Sequence, residues 1–223
     1  MVRLCIFDLD GTLADTLRSI AGFANEALRR CGWEPVEPVE EYRFLVGNGA
    51  DRLMRRMLDR QTRAYTEDDV RRLRTVYDAL YAADPLHDVT QYPGLLAVLR
   101  KLRAAGLSLA VLSNKPDRDT RSVVSSLFPP ELFDLCFGQR EGVPVKPAPD
   151  GALRIAQTLG VSPDECLYIG DSGVDMETGK AAGMTAVGVL WGFRGKEELL
   201  EHGAVHLIET PAELLPLALE GRA

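Results

Sequence analysis

The feature that most constrains the fold is a short, mostly apolar run that stops at two acids. Residues 2–7 read VRLCIF, and Asp8-Leu9-Asp10-Gly11-Thr12 follows at once. The run is largely apolar on both faces of an extended chain, as in a central strand of a parallel sheet. If the chain stays extended, period two sends the carboxylates of Asp8 and Asp10 to one side. They would then share the C-terminal end of the strand, where open α/β sheets hold their ligands. Two like charges about 4 Å apart repel by roughly 4 kcal/mol at an effective dielectric near 20. Such a pair implies a cation or a shared proton, the alternative being a charged strand end that runs into solvent. Gly11 permits a sharp turn directly after the pair.

Runs of the same style at 107–112, 133–137, 166–169, 185–190 and 205–208 predict further strands. Helical patterns over about 94–105, 117–126, 149–159, 173–182, 195–202 and 211–219 lie between them. Pro149 and Gly160 bracket one helix, and Pro211 opens the last. This alternation predicts an α/β fold: a three-layer, Rossmann-like core with a parallel sheet and crossover helices on both faces. Residues 15–86 break it. There apolar residues recur at helical spacing, as in Ile20, Phe23, Ala24 and Leu28, then Leu53, Met57 and Leu58, then Val70, Leu73, Tyr77 and Leu80. The expectation is an all-helical module at 15–86 inserted into a core made of 1–14 and 87–223.

Charge and composition narrow the partners. The chain has 33 acidic and 26 basic side chains and a formal net charge of -7, which disfavours a nucleic-acid ligand. No apolar run reaches the length of a membrane span. The N-terminal stretch lacks the small-residue cleavage site of a signal peptide. Three of the four cysteines, Cys5, Cys31, Cys136 and Cys166, sit in apolar runs and read as buried thiols rather than as bridges or a zinc site. A cytoplasmic protein is expected.

Three further constellations stand where strands end or helices begin. Ser113-Asn114-Lys115 follows the strand at 107–112, where a hydroxyl and adjacent N–H groups can cradle an anion, or simply form a turn. Lys146, between Val145 and Pro147, is a candidate fixed charge for phosphate, though alone it also reads as a surface lysine. Gly170-Asp171-Ser172-Gly173-Val174-Asp175 puts two acids four apart at a helix start, a hard-oxygen pattern that suits Mg²⁺. Together these acids need a divalent cation to coexist, and the cation and a lysine would neutralise a phosphate. His87, His202 and His206 read as structural or surface residues. A G-x-S-x-G elbow, a phosphate-binding P-loop and a dinucleotide fingerprint are absent.

In this order, Asp8-x-Asp10-Gly11-Thr12, Ser113-Asn114, Lys146-Pro147 and Gly170-Asp171-x-x-x-Asp175 resemble the four motifs of the haloacid dehalogenase-like hydrolases, on the phosphatase side. The helical insert is similar to that family's C1-type cap. Val46-Gly47-x-Gly49, Ser113-Asn114-Lys115, Gly188-Val189-x-Trp191-Gly192-Phe193 and Pro211-x-Glu213-Leu214-Leu215 look like the phosphoglycolate phosphatase subgroup. Related pyrophosphatases and sugar-phosphate phosphatases share most of these finer features, and a phosphomutase would share the core motifs.

The resemblance implies a mechanism. Asp8 would attack phosphorus and form an aspartyl-phosphate. Asp10 would protonate the leaving oxygen and then activate water. Asp8, the Asp10 carbonyl and Asp171 would hold Mg²⁺, with Asp175 acting through water or by orienting Lys146. Ser113, Asn114 and Lys146 would bind the phosphoryl group. The implied partner is a small phosphorylated metabolite, 2-phosphoglycolate, on a monomer or homodimer. Its carboxylate would need a donor in the cap: the Gly47-Asn48-Gly49 turn, or Arg52 and Arg56, four apart on one helix face, which otherwise are surface charges or ion pairs. Trp191 and Phe193 would line the rim or pack beneath the cap.

Overall fold

The computed structural model describes residues 1–220. Strand β1 (Leu4–Phe7) leads into a tight turn and the short β2 (Ala14–Asp15). Four helices follow: α1 (Leu17–Arg30), α2 (Tyr42–Leu45), α3 (Ala50–Leu58) and α4 (Glu67–Ala83). The chain returns through β3 (Thr90–Gln91) to α5 (Leu95–Ala104), β4 (Ser108–Pro116), α6 (Asp117–Leu127) and β5 (Leu135–Gln139). It continues through α7 (Asp150–Leu159), β6 (Cys166–Gly170), α8 (Gly173–Ala181) and β7 (Thr185–Val189). The last elements are α9 (Lys196–Glu201), β8 (His206–Ile208) and α10 (Leu214–Leu219).

The main sheet is parallel and has the order β5-β4-β1-β6-β7-β8. Alternation along the strands explains their unbroken apolar sequences. Cys5 and Phe7 face one layer with Leu109, Val111, Ile169 and Val187, against Leu99 of α5, Val123 of α6 and Leu214 of α10. Leu4 and Ile6 face the other, with Ala110, Leu112 and Tyr168 against Ile155 and Ala156 of α7. Each face is dry, so a polar residue on either would lose its water without a partner. The core is thus an α/β Rossmann-like unit with helices on both faces of a parallel sheet.

Helices α1 to α4 form a separate cap region with its own apolar centre, including Ile20, Leu28, Tyr42, Met54, Met57 and Leu73. A capping box at Thr66 and Asp69 starts α4: the Asp69 N–H donates to Thr66 Oγ1, and the Thr66 N–H donates to Asp69 Oδ2. The two connections to the core are paired. Ala14 and Asp15 of β2 lie antiparallel to Gln91 and Thr90 of β3, where the sequence suggests only turns. No described helix is long and apolar enough to cross a membrane.

The strand limits differ in informative ways. The run at 107–112 continues as strand to Pro116, carrying Ser113 and Lys115 to the sheet edge. Strand β5 starts at Leu135 rather than 133, because the Asp134 N–H donates to the Leu109 carbonyl and its side chain accepts from the Leu109 N–H. The last helix begins with a 3₁₀ turn at Pro211–Glu213.

One buried polar group ties the cap together. Asn25 Oδ1 accepts from the Val36 N–H at 2.7 Å and the Tyr42 hydroxyl at 2.8 Å, and its Nδ2 donates to the Val36 carbonyl at 3.1 Å. Asn25→Ala leaves buried backbone groups without partners, each costing about 1–3 kcal/mol. The expected result is a loss of about 3 kcal/mol in urea unfolding. A change under about 0.5 kcal/mol would show that this network is not what holds the 31–41 segment to α1.

Candidate active site

Three neighbouring strands, β4, β1 and β6, end at the same edge of the sheet. At the end of β1 the Asp8 N–H bonds to the Ile169 carbonyl at 2.9 Å, which continues the ladder and fixes the first carboxylate. Asp8 Oδ1 also accepts from the Leu9 N–H at 2.7 Å. The chain then folds back sharply: the Gly11 N–H bonds to Ala14 O and the Thr12 N–H to Leu9 O. Gly11 has φ +86°, and a Cβ there would fall 2.3 Å from Asp171 Oδ2. Both the backbone conformation and the space therefore demand glycine. Thr12 Oγ1 donates to Asp171 Oδ1 at 3.1 Å.

Asp171 follows β6, is buried, and accepts the Phe193 N–H on Oδ2 at 2.8 Å. Asp175 starts α8 as half of a capping box, with Oδ2 accepting from the Ser172 hydroxyl at 2.6 Å. Its Oδ1 accepts from Lys146 Nζ at 2.7 Å, and the same ammonium lies 2.8 Å from Asp8 Oδ1. Lys146 is held by Asn114: the Lys146 N–H donates to Asn114 Oδ1 at 2.9 Å, and Asn114 Nδ2 donates to the Lys146 carbonyl at 3.0 Å. Asn114 Nδ2 also reaches Gly47 O in the cap, at 3.2 Å. On the opposite flank Lys115 Nζ grips both Asp10 oxygens at 2.8 and 2.9 Å.

Burial dominates the electrostatics. It pushes the Asp8 carboxyl well above the usual carboxylate range, Asp175 and Asp171 add repulsion, and Lys146 opposes them. Burial, then Asp175, raises Asp171 to about 7, against the Phe193 N–H and the Thr12 hydroxyl. Burial alone would lower the Lys146 ammonium, but Asp175 and Asp8 outweigh it and hold Lys146 well above an ordinary lysine. Lys115 behaves alike, its burial outweighed by Asp10, Tyr81 and Tyr77. Asp8, Asp171 and Asp175 each bring an oxygen within 4.8 Å of the others. Hard oxygen donors that repel one another in a buried site fit a divalent cation. Once fully ionised, the four carboxylates and two lysines of this cluster leave two negative charges, which one such cation would balance.

A cleft of about 750 Å³, counting its open mouth, lies between this cluster and the cap. Asp8, Asp10, Ser113, Asn114, Lys146 and Asp171 line its core side, and Gly47 and Gly49 line its cap side. Asn48 instead accepts from Arg56 Nη2 at 2.7 Å, and Arg56 Nη1 donates to the Leu45 carbonyl at 2.8 Å. Arg56 thus braces the cap turn, and Arg52 is exposed; neither lines the cleft. Phe193 packs into the apolar centre of the cap. Phe193 also lines the cleft, so it both packs and forms part of the rim, whereas Trp191 packs on the core and donates its indole N–H to Thr12 O at 3.1 Å.

Sequence reasoning passes over several cleft residues. Lys115 was open to inference, since period two on a strand puts it on the side of Ser113. Tyr77 and Tyr81 of α4 carry an ordinary core pattern and gave no separate signal. Arg194, also in the cleft lining, stands beside Phe193 without a motif of its own.

Protons must leave these carboxyls before a cation binds, so binding strengthens as pH rises through their raised pKa values. Adding a divalent cation at about 100 times its Kd to chelated protein should contribute about 2.7 kcal/mol, or a Tm rise of roughly 5–10 °C. With the cation held at the concentration that is about 100 times its Kd at pH 8, that gain should be much smaller at about pH 5, on the other side of the value near 7 for Asp171. Equal gains at both pH values, or none, would contradict a cation at this cluster. Differential scanning fluorimetry measures both.

Comparison with known proteins converges on one family. Residues 2–183 match the model of the haloacid dehalogenase-like hydrolases. The phosphoglycolate phosphatase of Salmonella paratyphi A is 32% identical over 232 residues, spanning 96% of this chain and 92% of its own length. A crystal structure from Lactobacillus delbrueckii subsp. bulgaricus, of a protein inferred to be a phosphoglycolate phosphatase, superposes with a TM-score of 0.92 at 31% identity over 98% of both chains. The structure of a family hydrolase from Deinococcus radiodurans, with bound phosphate and sodium, gives 0.76 at 27% identity over 98% of this chain and 96% of that one. With acids and Lys115 at the ends of three adjacent strands, and Lys146 brought in from the turn before α7, gathered under a helical cap, this chain belongs to the haloacid dehalogenase-like hydrolases.

Proposed function

We propose that this protein is a Mg²⁺-dependent phosphatase that hydrolyses 2-phosphoglycolate through an aspartyl-phosphate on Asp8. The observation that carries this reading is the Lys146 ammonium set between Asp8 and Asp175, at the floor of a capped cleft. The name of the curated relative supports the choice of substrate, and the phosphate in the Deinococcus structure supports the class of ligand.

Lys146 and the Leu9 N–H hold Asp8 Oδ1, and Oδ2, with no hydrogen bond among the described residues, would approach phosphorus. The attack forms the Asp8–phosphorus bond and breaks the bond from phosphorus to the ester oxygen. The Asp10–Lys115 pair stands beside the cleft to deliver a proton to that oxygen, and Asp10 afterwards takes a proton from the water that cleaves the intermediate. Ser113, with its hydroxyl accepting the Lys115 N–H at 3.2 Å, and Lys146 face the phosphoryl oxygens. Asn114 acts on this group through Lys146. Asp8, Asp171 and Asp175 would hold Mg²⁺, with the Asp10 carbonyl as a further donor, and the ion supplies positive charge against the phosphoryl oxygens. Residues 15–86 form the cap that shields the chemistry from bulk water, and 1–14 with 87–220 form the core, the last three residues of the expected 87–223 span lying outside the described residues.

The test is kcat/KM for 2-phosphoglycolate, pyrophosphate and glucose 1-phosphate under one Mg²⁺ condition. A clear preference for 2-phosphoglycolate is expected, with activity lost on chelation and inhibited by Ca²⁺, whose looser coordination spoils in-line geometry. A preference for pyrophosphate, or full activity after exhaustive chelation, would contradict the reading. Asp10→Asn should cost about 10²–10⁴-fold on an alkyl phosphate and less on an aryl phosphate, whose leaving group needs little proton help. Equal losses on both would deny Asp10 this role.

A further inference from the structure

Among the described residues the cleft holds one cation that the chemistry above does not use. Lys146 is engaged by Asp8 and Asp175, and Lys115 by Asp10. Arg52 and Arg56 are outside the lining. Arg194 is inside it, with a side chain only 9% exposed. Its Nε lies 3.1 Å from Glu198 Oε2, and its Nη2 donates to the Val46 carbonyl of the cap at 2.9 Å. Its Nη1 is buried and has no hydrogen-bond partner among the described residues.

The backbone around Arg194 is fixed against the catalytic cluster. The Phe193 N–H is bonded to Asp171, and Gly192 lies so close that a Cβ there would stand 2.3 Å from Asp171 Cβ and 2.5 Å from Gly11 O. The backbone that carries Arg194 is therefore anchored beside Asp171, and Glu198 and the Val46 carbonyl hold its guanidinium against the cap.

A buried guanidinium nitrogen without an acceptor leaves a strong donor unmatched. Nη2 has a second N–H beside its bond to Val46. Together with Nη1 it offers a planar fork, which matches a carboxylate in two parallel bonds. We propose that Arg194 is the specificity-determining residue of this site and receives a carboxylate carried a short distance from the phosphate ester. This rests on the phosphatase reading of Asp8 and deepens it: the core residues hold the phosphoryl end and Arg194 selects what the ester is attached to. It also gives to Arg194 the role for which the sequence offered the Gly47-Asn48-Gly49 turn, Arg52 and Arg56.

The test compares kcat/KM for 2-phosphoglycolate with that for 2-hydroxyethyl phosphate, which replaces the carboxylate by a neutral alcohol. Because both are measured on one preparation, their ratio cancels any loss of folded enzyme. Wild type should prefer the carboxylated ester. Arg194→Gln should lower the ratio by roughly 30-fold or more, as expected when a desolvated charge loses its partner. Arg194→Lys, which keeps the charge but not the fork, should lower it less. A strut joining cap to core would depress both substrates in proportion, so a ratio within about threefold of wild type in both variants overturns the proposal. So does a wild-type enzyme indifferent to the carboxylate, while its turnover of both esters would leave the phosphatase reading standing. No hydrolysis of any monoester would overturn that reading and the role of Arg194 with it.

Discussion

The Lys146 ammonium, 2.8 Å from Asp8 and 2.7 Å from Asp175, is the interaction on which the rest of the site depends. Each of these three groups would be costly to bury alone, and removing one partner of a buried ion pair typically costs about 3–5 kcal/mol. The fold keeps them in register by unrelated means. The β1–β6 ladder sets Asp8, the α8 capping box sets Asp175, and the Asn114 amide clamps the backbone of Lys146 on both sides. The strand order places β4 and β6 on either side of β1, so three sequence-distant segments meet at one edge.

The same logic joins cap to core. The two connections pair as β2 and β3, which brings entry and exit together and lets the insert sit over the strand ends. Asn114 bonds to Gly47 of the cap turn, Arg194 bonds to Val46, and Phe193 enters the apolar centre of the cap. The cap is thereby docked by residues that also touch the acid cluster: Asn114 through Lys146, and the 192–194 loop through Asp171. Cap position and the acid cluster are thus tied to the same few side chains.

Much of this was legible in the sequence, for physical reasons. Strands buried on two faces must be apolar throughout, so β1, β6 and β7 announce themselves. Charges at their ends announce the site, because an apolar strand does not end in paired acids without compensation. The failures are equally physical. Strands β2 and β3 have two residues each and no periodicity to detect. Strand β5 is a half-buried edge, and its start depends on Asp134 bonding to Leu109, a pairing between distant residues. Arg52 and Arg56 share a helix, yet one is exposed and the other braces Leu45 and Asn48, since helical spacing does not tell which acceptors the neighbouring loop presents. Arg194 acquires its meaning only when the cap is folded back over the sheet, where its guanidinium meets the Val46 carbonyl.

In the proposed reaction Asp8, set among these charges, carries the phosphoryl group covalently. Rapid acid quench after mixing enzyme with phosphate-labelled substrate, followed by peptide mapping, addresses it directly. The expected result is a hydroxylamine-sensitive acyl phosphate on the peptide containing Asp8, formed and lost at rates that account for turnover. Label on any other residue, or turnover with no labelled protein when breakdown of the intermediate is slowed by Asp10→Asn, would contradict it.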